Sequence, residues 1–289
     1  MNGSFEAGNN NVNILTKFVH LVAGKSQDKP GDAVVSESTA CVARFKRNTS
    51  GRDFVVADIH GAFDLLVIAM AEVDFDPDLD RIFSTGDLID RGDSSHRCAE
   101  FIALPYFHST LGNHESMLLD LYRHGDPPQH VLENAAKQNG FAWWMGVSDE
   151  KRHEILEAIR TLPYAIEVES ACGIVGIIHA DVPKKMKWDS FIAGIESGDE
   201  KTVYTCLWGR ERIDNRNMSG IPGIARVFIG HTPQWQGLSL YGNVYALDTG
   251  AAFGLQGNMD KGRFTMVKLD ADESRLIGGG QNGAMIDIR

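Results

Sequence analysis

Apolar residues along this chain fall into short runs, and the runs change character near the middle. From residue 54 they alternate between two periods. Residues 54–57 read as a strand, 63–73 (FDLLVIAMAEV) as a helix, 81–85 as a strand, and 95–103 as a helix with Ser94 as N-cap. Residues 106–110 read as a strand, followed by a helix through Arg123 that Gly125 ends. Two more helices are predicted within 129–140 and 149–162, the second stopped by Pro163. Residues 164–169, 173–178, 226–229, 238–247 and 263–269 read as strands, so the second half is expected to be mostly β. Ahead of this series, residues 41–58 read as a hairpin around an NTSG turn. A βαβαβα half followed by a β-rich half predicts a layered α/β domain with mixed sheets.

The ends of the chain differ from its middle. Residues 1–40 are polar, with one amphipathic stretch at 14–22, and read as an extension; residues 272–289 are Gly-rich and read as a tail. The expected domain spans 41–271. The first residues lack a basic segment followed by an apolar one, so no secretory signal is expected, and no apolar run approaches the ~20 residues of a membrane span. Four scattered cysteines without a CxxC predict free thiols in a reducing cytoplasm. A net charge of −11 argues against nucleic acid and anionic membranes as partners. It leaves small phosphorylated groups open, because bound cations reverse the local sign.

Chemistry concentrates where the strands end. VADIHG carries Asp58 and His60, GDLIDRG carries Asp87 and Asp90, LGNHE carries Asn113 and His114, GIIHAD carries His179, and FIGHTP carries His231. In α/β sheets, sites form just beyond the carboxyl ends of strands, which is where these residues fall. Asp58, His60, Asp87, Asn113, His179 and His231 offer two carboxylates, three imidazoles and one amide oxygen, with no thiolate. Such a set exceeds one tetrahedral zinc and suits two ions, with manganese, iron or zinc favoured over calcium or magnesium. Asp58 and His60, at i and i+2, project to one side of an extended segment. Asp87 is the expected bridge, holding two ions about 3.5–4 Å apart. His114, beside the site but not on it, is placed to act as a general acid, with Asp90 on its other ring nitrogen. Arg91 suits a bidentate grip on phosphate.

Two cations acidify a shared water and neutralise phosphate, so the expected reaction is in-line attack on phosphorus, with His114 protonating the leaving oxygen. Other histidines (His20, His96, His108, His124, His130 and His153) lack this strand-end context. Phe141, Trp143 and Trp144 are expected to pack a small helical cap.

Over residues 44–269 the chain resembles the phosphoprotein phosphatase branch of the calcineurin-like metallophosphoesterases, in particular the lambda-type serine/threonine protein phosphatases. The resemblance rests on GDLIDRG, LGNHE, IIHADVP, LWGRERI, FIGHTP and LDTGA. It implies an α/β fold built as a β-sandwich of mixed sheets flanked by helices. It also implies two divalent metals of manganese type (iron, zinc or nickel being alternatives) and phosphomonoester hydrolysis. Asp58, His60 and Asp87 would hold one metal; Asp87, Asn113, His179 and His231 would hold the other. His114 with Asp90 would form the proton-donor pair, and Arg91, Asn113, His114 and Arg210 would contact the phosphate. Arg210 enters only through the resemblance, since spacing does not single it out within GRERIDNR. Ala57 stands where many relatives carry glycine.

The expected substrate is a phosphorylated protein or peptide; the oligomeric state stays open, a monomer being compatible. The competing reading is a symmetrical dinucleoside tetraphosphatase of the same fold, a branch that typically lacks the aspartate found here as Asp90. A catalytically dead binding module is disfavoured because every ligand position and the proton donor are intact.

Overall fold

The computed structural model describes residues 41–255, 262–271 and 285–288. The expectations for residues 1–40, and for most of the C-terminal segment, therefore lie outside the described residues. In chain order the strands are β1 Val42–Phe45, β2 Asp53–Val56, β3 Arg81–Ser84, β4 Phe107–Ser109, β5 Ala165–Ser170, β6 Gly173–Ile178, β7 Arg226–Ile229, β8 Ser239–Tyr241, β9 Val244–Ala246, β10 Phe264–Lys268 and β11 Met285–Ile288. They form two mixed sheets, a six-stranded one in the order β1-β5-β6-β7-β9-β8 and a five-stranded one in the order β11-β10-β2-β3-β4.

The sheets face each other, and the period-2 alternation of the strands sends successive apolar residues to opposite faces of each sheet. Val55, Phe83, Ile166, Val168, Ile177, Phe228 and Tyr245 point between the sheets and form one buried cluster. Their neighbours Ala165, Ile178, Val227, Ile229, Val244 and Ala246 point the other way, into a second cluster covered by helix. That cover is a helix at Trp188–Glu196, whose Trp188, Phe191, Ile192 and Ile195 follow the i, i+3, i+4, i+7 spacing of a buried face. It is followed by Glu200–Trp208, N-capped by Asp199 accepting from Thr202 N–H. On the five-stranded sheet, the first helix, Phe63–Glu72, buries Phe63, Leu66, Val67, Ala69 and Met70. Among the described residues, no helix is long and apolar enough to cross a membrane.

The architecture matches the expected sandwich of mixed sheets flanked by helices. Several local readings differ. Residues 41–58 are not a hairpin: β1 pairs parallel with β5, and β2 pairs with β3 and β10 in the other sheet. The turn between them is gathered by Asn48, whose Oδ1 accepts from Ser50 and Gly51 N–H while its Nδ2 donates to Leu79 O. This ties the connection to the entrance of β3 rather than back onto β1. The second half is not mostly β, because the two helices above and a short one at Glu211–Asp214 lie between β6 and β7. Ser94 makes no side-chain cap; a 3-10 turn, Ser95–Arg97, precedes the helix Cys98–Ile102. Within the expected tail, β11 adds to the sheet antiparallel to β10.

Strands β2, β3 and β4 run parallel, as do β6 and β7, so the turns leaving all five gather at one end of the sandwich. Those leaving β3 and β4 are clamped by Glu115, a fully buried carboxylate in the first turn of the helix Asn113–Leu121. Its Oε1 accepts from Leu88 and Ile89 N–H at 2.8 and 3.1 Å. Its Oε2 accepts from Asp87 and Gly112 N–H, both at 3.0 Å. The Glu115→Gln variant would turn an amide NH2 toward one of these donor pairs. A loss of about 1–3 kcal/mol is expected from the stranded N–H groups, read as a lower urea midpoint. An unchanged midpoint would show that the clamp carries no stability. On the opposite sheet, a Cβ on Gly176 of β6 would lie 2.4 Å from Trp188 Cη2. Gly176→Ala is expected to destabilise by about 1–3 kcal/mol through overpacking, and an undiminished thermal midpoint would contradict this.

Candidate metal centre

At the gathered strand ends, Asp87 lies between two groups of donors. Asp87, His60 and His114 make one; Asp87, His179 and His231 make the other, with the donor atoms of each group within 4.8 Å of one another. Asp87 Oδ2 faces His60 Nε2 at 3.4 Å, and its Oδ1 faces His179 Nε2 at 3.5 Å, so one carboxylate serves both sides. Asn113 joins the second group, with Oδ1 2.8 Å from both His179 Nε2 and His231 Nδ1.

The hydrogen bonding of these rings tests whether a cation fits. His179 Nδ1 must donate to Thr85 O at 2.9 Å, because a carbonyl only accepts. In the neutral ring this leaves a lone pair on Nε2, facing Asn113 Oδ1 and, at 3.1 Å, His231 Nδ1. His231 Nε2 is buried without any hydrogen-bond partner. With the His231 proton on Nε2, its Nδ1, the His179 Nε2 and the Asn113 Oδ1 present three lone pairs to one another with no donor between them, an arrangement that a cation would satisfy. His60 is oriented the same way, Nδ1 donating to Ile89 O at 2.8 Å and Nε2 turned inward. The residues present therefore fit a pair of divalent ions.

Asp58 is placed differently from the other expected ligands. It is buried beside the second group, but its Oδ2 accepts from His231 N–H at 2.8 Å and its Oδ1 accepts from Thr85 Oγ1 at 3.1 Å. It belongs to neither three-donor group, although each of its oxygens, accepting one hydrogen bond, keeps a second lone pair. His114, expected beside the metals rather than on them, borders the first group, its Nε2 3.8 Å from Asp87 Oδ2.

That ring's other nitrogen is committed. His114 Nδ1 lies 2.6 Å from Asp90 Oδ2, the pairing expected from sequence. Arg91 extends its guanidinium over the site, with Nη1 donating to His60 Nε2 at 2.6 Å and Nη2 to His114 Nε2 at 3.2 Å. Its plane also lies against the Phe253 ring at 5.1 Å. Arg210 donates to Thr232 Oγ1 at 3.1 Å, from the neighbouring rim.

Electrostatics separate the roles. Burial pushes His60 and His179 below their ordinary pKa values and brings His231 down to about 3, so all three are neutral and able to ligate. Burial works against Asp87 ionising, but His179, His114 and His60 around it hold its carboxyl well below the usual range. His114 goes the other way: burial opposes its charge, yet Asp87 and Asp90 lift its pKa above the ordinary value. Burial, with Asp248 and Asp87 nearby, raises Asp58 well above the normal carboxylate range. Asp248 itself is raised to about 6, burial being the main cause. This excess of buried carboxylate is a second reason for cations here.

Three contributors were not assigned from sequence. Glu115 follows the motif histidine and reads as an ordinary helix N3 acid, a capping-box signal that pointed to it. Asp248 sits in LDTGA, a string whose spacing assigns it no role, and is buried beside the centre. Trp143, read as cap packing, donates its indole N–H to Asp90 Oδ1 at 2.7 Å.

The comparisons with known proteins agree with this geometry. Residues 54–245 match the family described as calcineurin-like phosphoesterase. A relative from Salmonella typhimurium named serine/threonine-protein phosphatase 2 is 34% identical over 184 residues, 62% of this chain and 78% of that protein. Serine/threonine-protein phosphatase 1 of the same organism is 32% identical over 207 residues, 70% and 88% of the two chains. A symmetrical bis(5'-nucleosyl)-tetraphosphatase from Glaesserella parasuis is 25% identical over 275 residues, 76% of this chain and 99% of that protein. With its two donor groups meeting on one aspartate, the chain belongs to the calcineurin-like phosphoesterase family, enzymes that work through a dinuclear divalent metal centre.

Proposed function

We propose that the protein is a metal-dependent phosphomonoester hydrolase that removes phosphate from phosphoserine and phosphothreonine in proteins, in the cytoplasm, with manganese as the working metal. The observation that carries this reading is the buried His114–Asp90 pair set beside the shared Asp87. Asp58, His60 and Asp87 would hold one ion; Asp87, Asn113, His179 and His231 would hold the other. When bound, the ions supply an acidified water as nucleophile and offset the charge of the phosphate. Arg91 and Arg210 hold phosphate oxygens and set the ester in line for attack. His114 delivers its proton to the departing oxygen, and Asp90 keeps that ring in register.

Substrate class follows from the relatives and from one residue. The two named as protein phosphatases are 34% and 32% identical, against 25% for the tetraphosphatase. Asp90 is present and paired, as a proton donor for a poor alkoxide leaving group requires. The second reading, cleavage of a symmetrical dinucleoside tetraphosphate, is favoured only by the nearly full coverage of that relative.

Purified protein loaded with manganese is expected to turn over a phosphoserine peptide with higher kcat/KM than diadenosine tetraphosphate. The reverse order would transfer the assignment to the second reading. No p-nitrophenyl phosphatase activity with manganese, nickel, iron or zinc would remove both. His114→Asn is expected to lower kcat by about 10²–10⁴-fold on the phosphoserine peptide while bound metal, measured by elemental analysis, is retained. A wild-type rate on that alkyl ester would end the acid assignment.

A further inference from the structure

The Asp90 carboxylate is divided between two partners. Oδ2 meets His114 Nδ1 at 2.6 Å, and Oδ1 accepts the Trp143 indole N–H at 2.7 Å. Asp90 is buried, and it and Arg91 are consecutive non-glycine residues in the left-handed region, at φ 71° and 68°. Such residues persist only where their surroundings hold them in that conformation. Part of the holding comes from the segment that carries Trp143. Arg91 N–H donates to Gly140 O at 3.1 Å, and Gly140 sits so close that a Cβ on it would lie 2.5 Å from Arg91 N. Residues 140–146 thus press on the backbone of Arg91 and reach the side chain of Asp90 at the same time.

The segment does not depend on Trp143 for its own place. The neighbouring Trp144 is completely buried, donates to Tyr122 Oη at 2.9 Å and has the Arg152 guanidinium over its ring. Trp143 is only half-buried, meets Trp144 edge-on at 5.2 Å, and borders an open depression of about 470 Å³ together with His96 and Val147. Among the described residues, the polar contact of this half-buried indole is with Asp90, the partner of His114.

We propose that Trp143 is a positioning residue for proton transfer: its N–H fixes one oxygen of Asp90 so that the other is aimed at His114 Nδ1. The inference rests on the reading of His114 as the proton donor. Loss of the indole N–H frees the Asp90 carboxylate to rotate, and the imidazole loses its fixed bearing on the leaving oxygen. No ligand of the metal groups is touched by Trp143, so metal binding is independent of it.

The test is Trp143→Phe, which keeps an aromatic ring against Trp144 and removes the donor. With manganese-loaded enzyme, kcat on a phosphoserine peptide is expected to fall about tenfold, a fraction of the 10²–10⁴ a general acid supplies. KM and metal content stay within twofold, and p-nitrophenyl phosphate, whose leaving group needs little protonation, loses less than threefold. In a His114→Asn background the same change is expected to add no further loss, because the two residues act as a unit. In metal-free protein labelled with ¹⁵N at tryptophan, Asp90→Asn is expected to shift the Trp143 indole resonance more than those of the other four tryptophans. Equal losses on both substrates, an additive double variant, or an unmoved indole resonance would each overturn the proposal. If Trp143→Phe does not fold, benzothienylalanine at 143, the same shape without the N–H, takes its place in the same assays. A harmless His114→Asn would sink the proton-donor reading itself; a harmful one beside a harmless Trp143→Phe would sink only the present inference.

Discussion

One carboxylate organises the ground on which the site stands. Glu115 gathers the backbone N–H groups of Asp87, Leu88, Ile89 and Gly112, binding the turn after β3 to the turn after β4. Neither turn could hold its shape alone. Asp87, Asp90 and Arg91 all take positive φ values, and so do His60 and His231 in the adjoining turns. A segment with this much backbone strain survives only if its amides are satisfied elsewhere. Burial and the nearby Asp87 push the Glu115 pKa up, to about 8, against the pull of the N–H groups it accepts. The clamp therefore shares the electrostatic fate of the centre: whatever neutralises Asp87 also relieves Glu115.

The same logic extends across the sandwich. The five-stranded sheet delivers Asp58, His60, Asp87 and Asn113, and the six-stranded sheet delivers His179 and His231. Cross-sheet contacts are made by the donors themselves: His179 to Thr85 O, His231 N–H to Asp58, Asn113 to both imidazoles. The centre is thus also a joint between the sheets. It concentrates the raised carboxyls of Asp58 and Asp248 beside the facing donor atoms of Asn113, His179 and His231, a set that suits cations. Metal loading and the fit of the two sheets at this end are coupled for that reason.

Much of this was legible in the sequence because strand ends announce themselves. A short apolar run ending in Asp, His or Asn is visible without coordinates, and all six expected ligands do converge at one end of the sandwich, although Asp58 stays bonded to Thr85 and the His231 amide. Local pattern was less informative wherever partner choice decided the outcome. Strands β1 and β2 are close in sequence, and non-local contacts, among them Asn48 on Leu79 O and Arg81 on Lys46 O, accompany their division between two sheets. The helix Trp188–Glu196 has a regular apolar spacing, but it lies between two stretches whose local pattern is that of strands. Met285–Ile288 has few features that mark an edge strand until β10 is beside it.

The least legible residues are those whose meaning comes from a contact with no period. Trp143 lies 53 positions beyond Asp90, in a segment whose aromatic content reads as packing, and for Trp144 that reading is correct. The difference between the two tryptophans is the direction of one N–H, toward Tyr122 in one case and toward Asp90 in the other. This division has a consequence for the design of the site. The candidate metal donors are built by strand ends from two sheets, whereas the His114–Asp90 pair is completed from the segment that carries Trp143. On the proposed reading, sequence change in residues 138–146 acts on the bearing of Asp90 toward His114. Changes at the strand ends disturb both, since Asp87 touches every part of the centre.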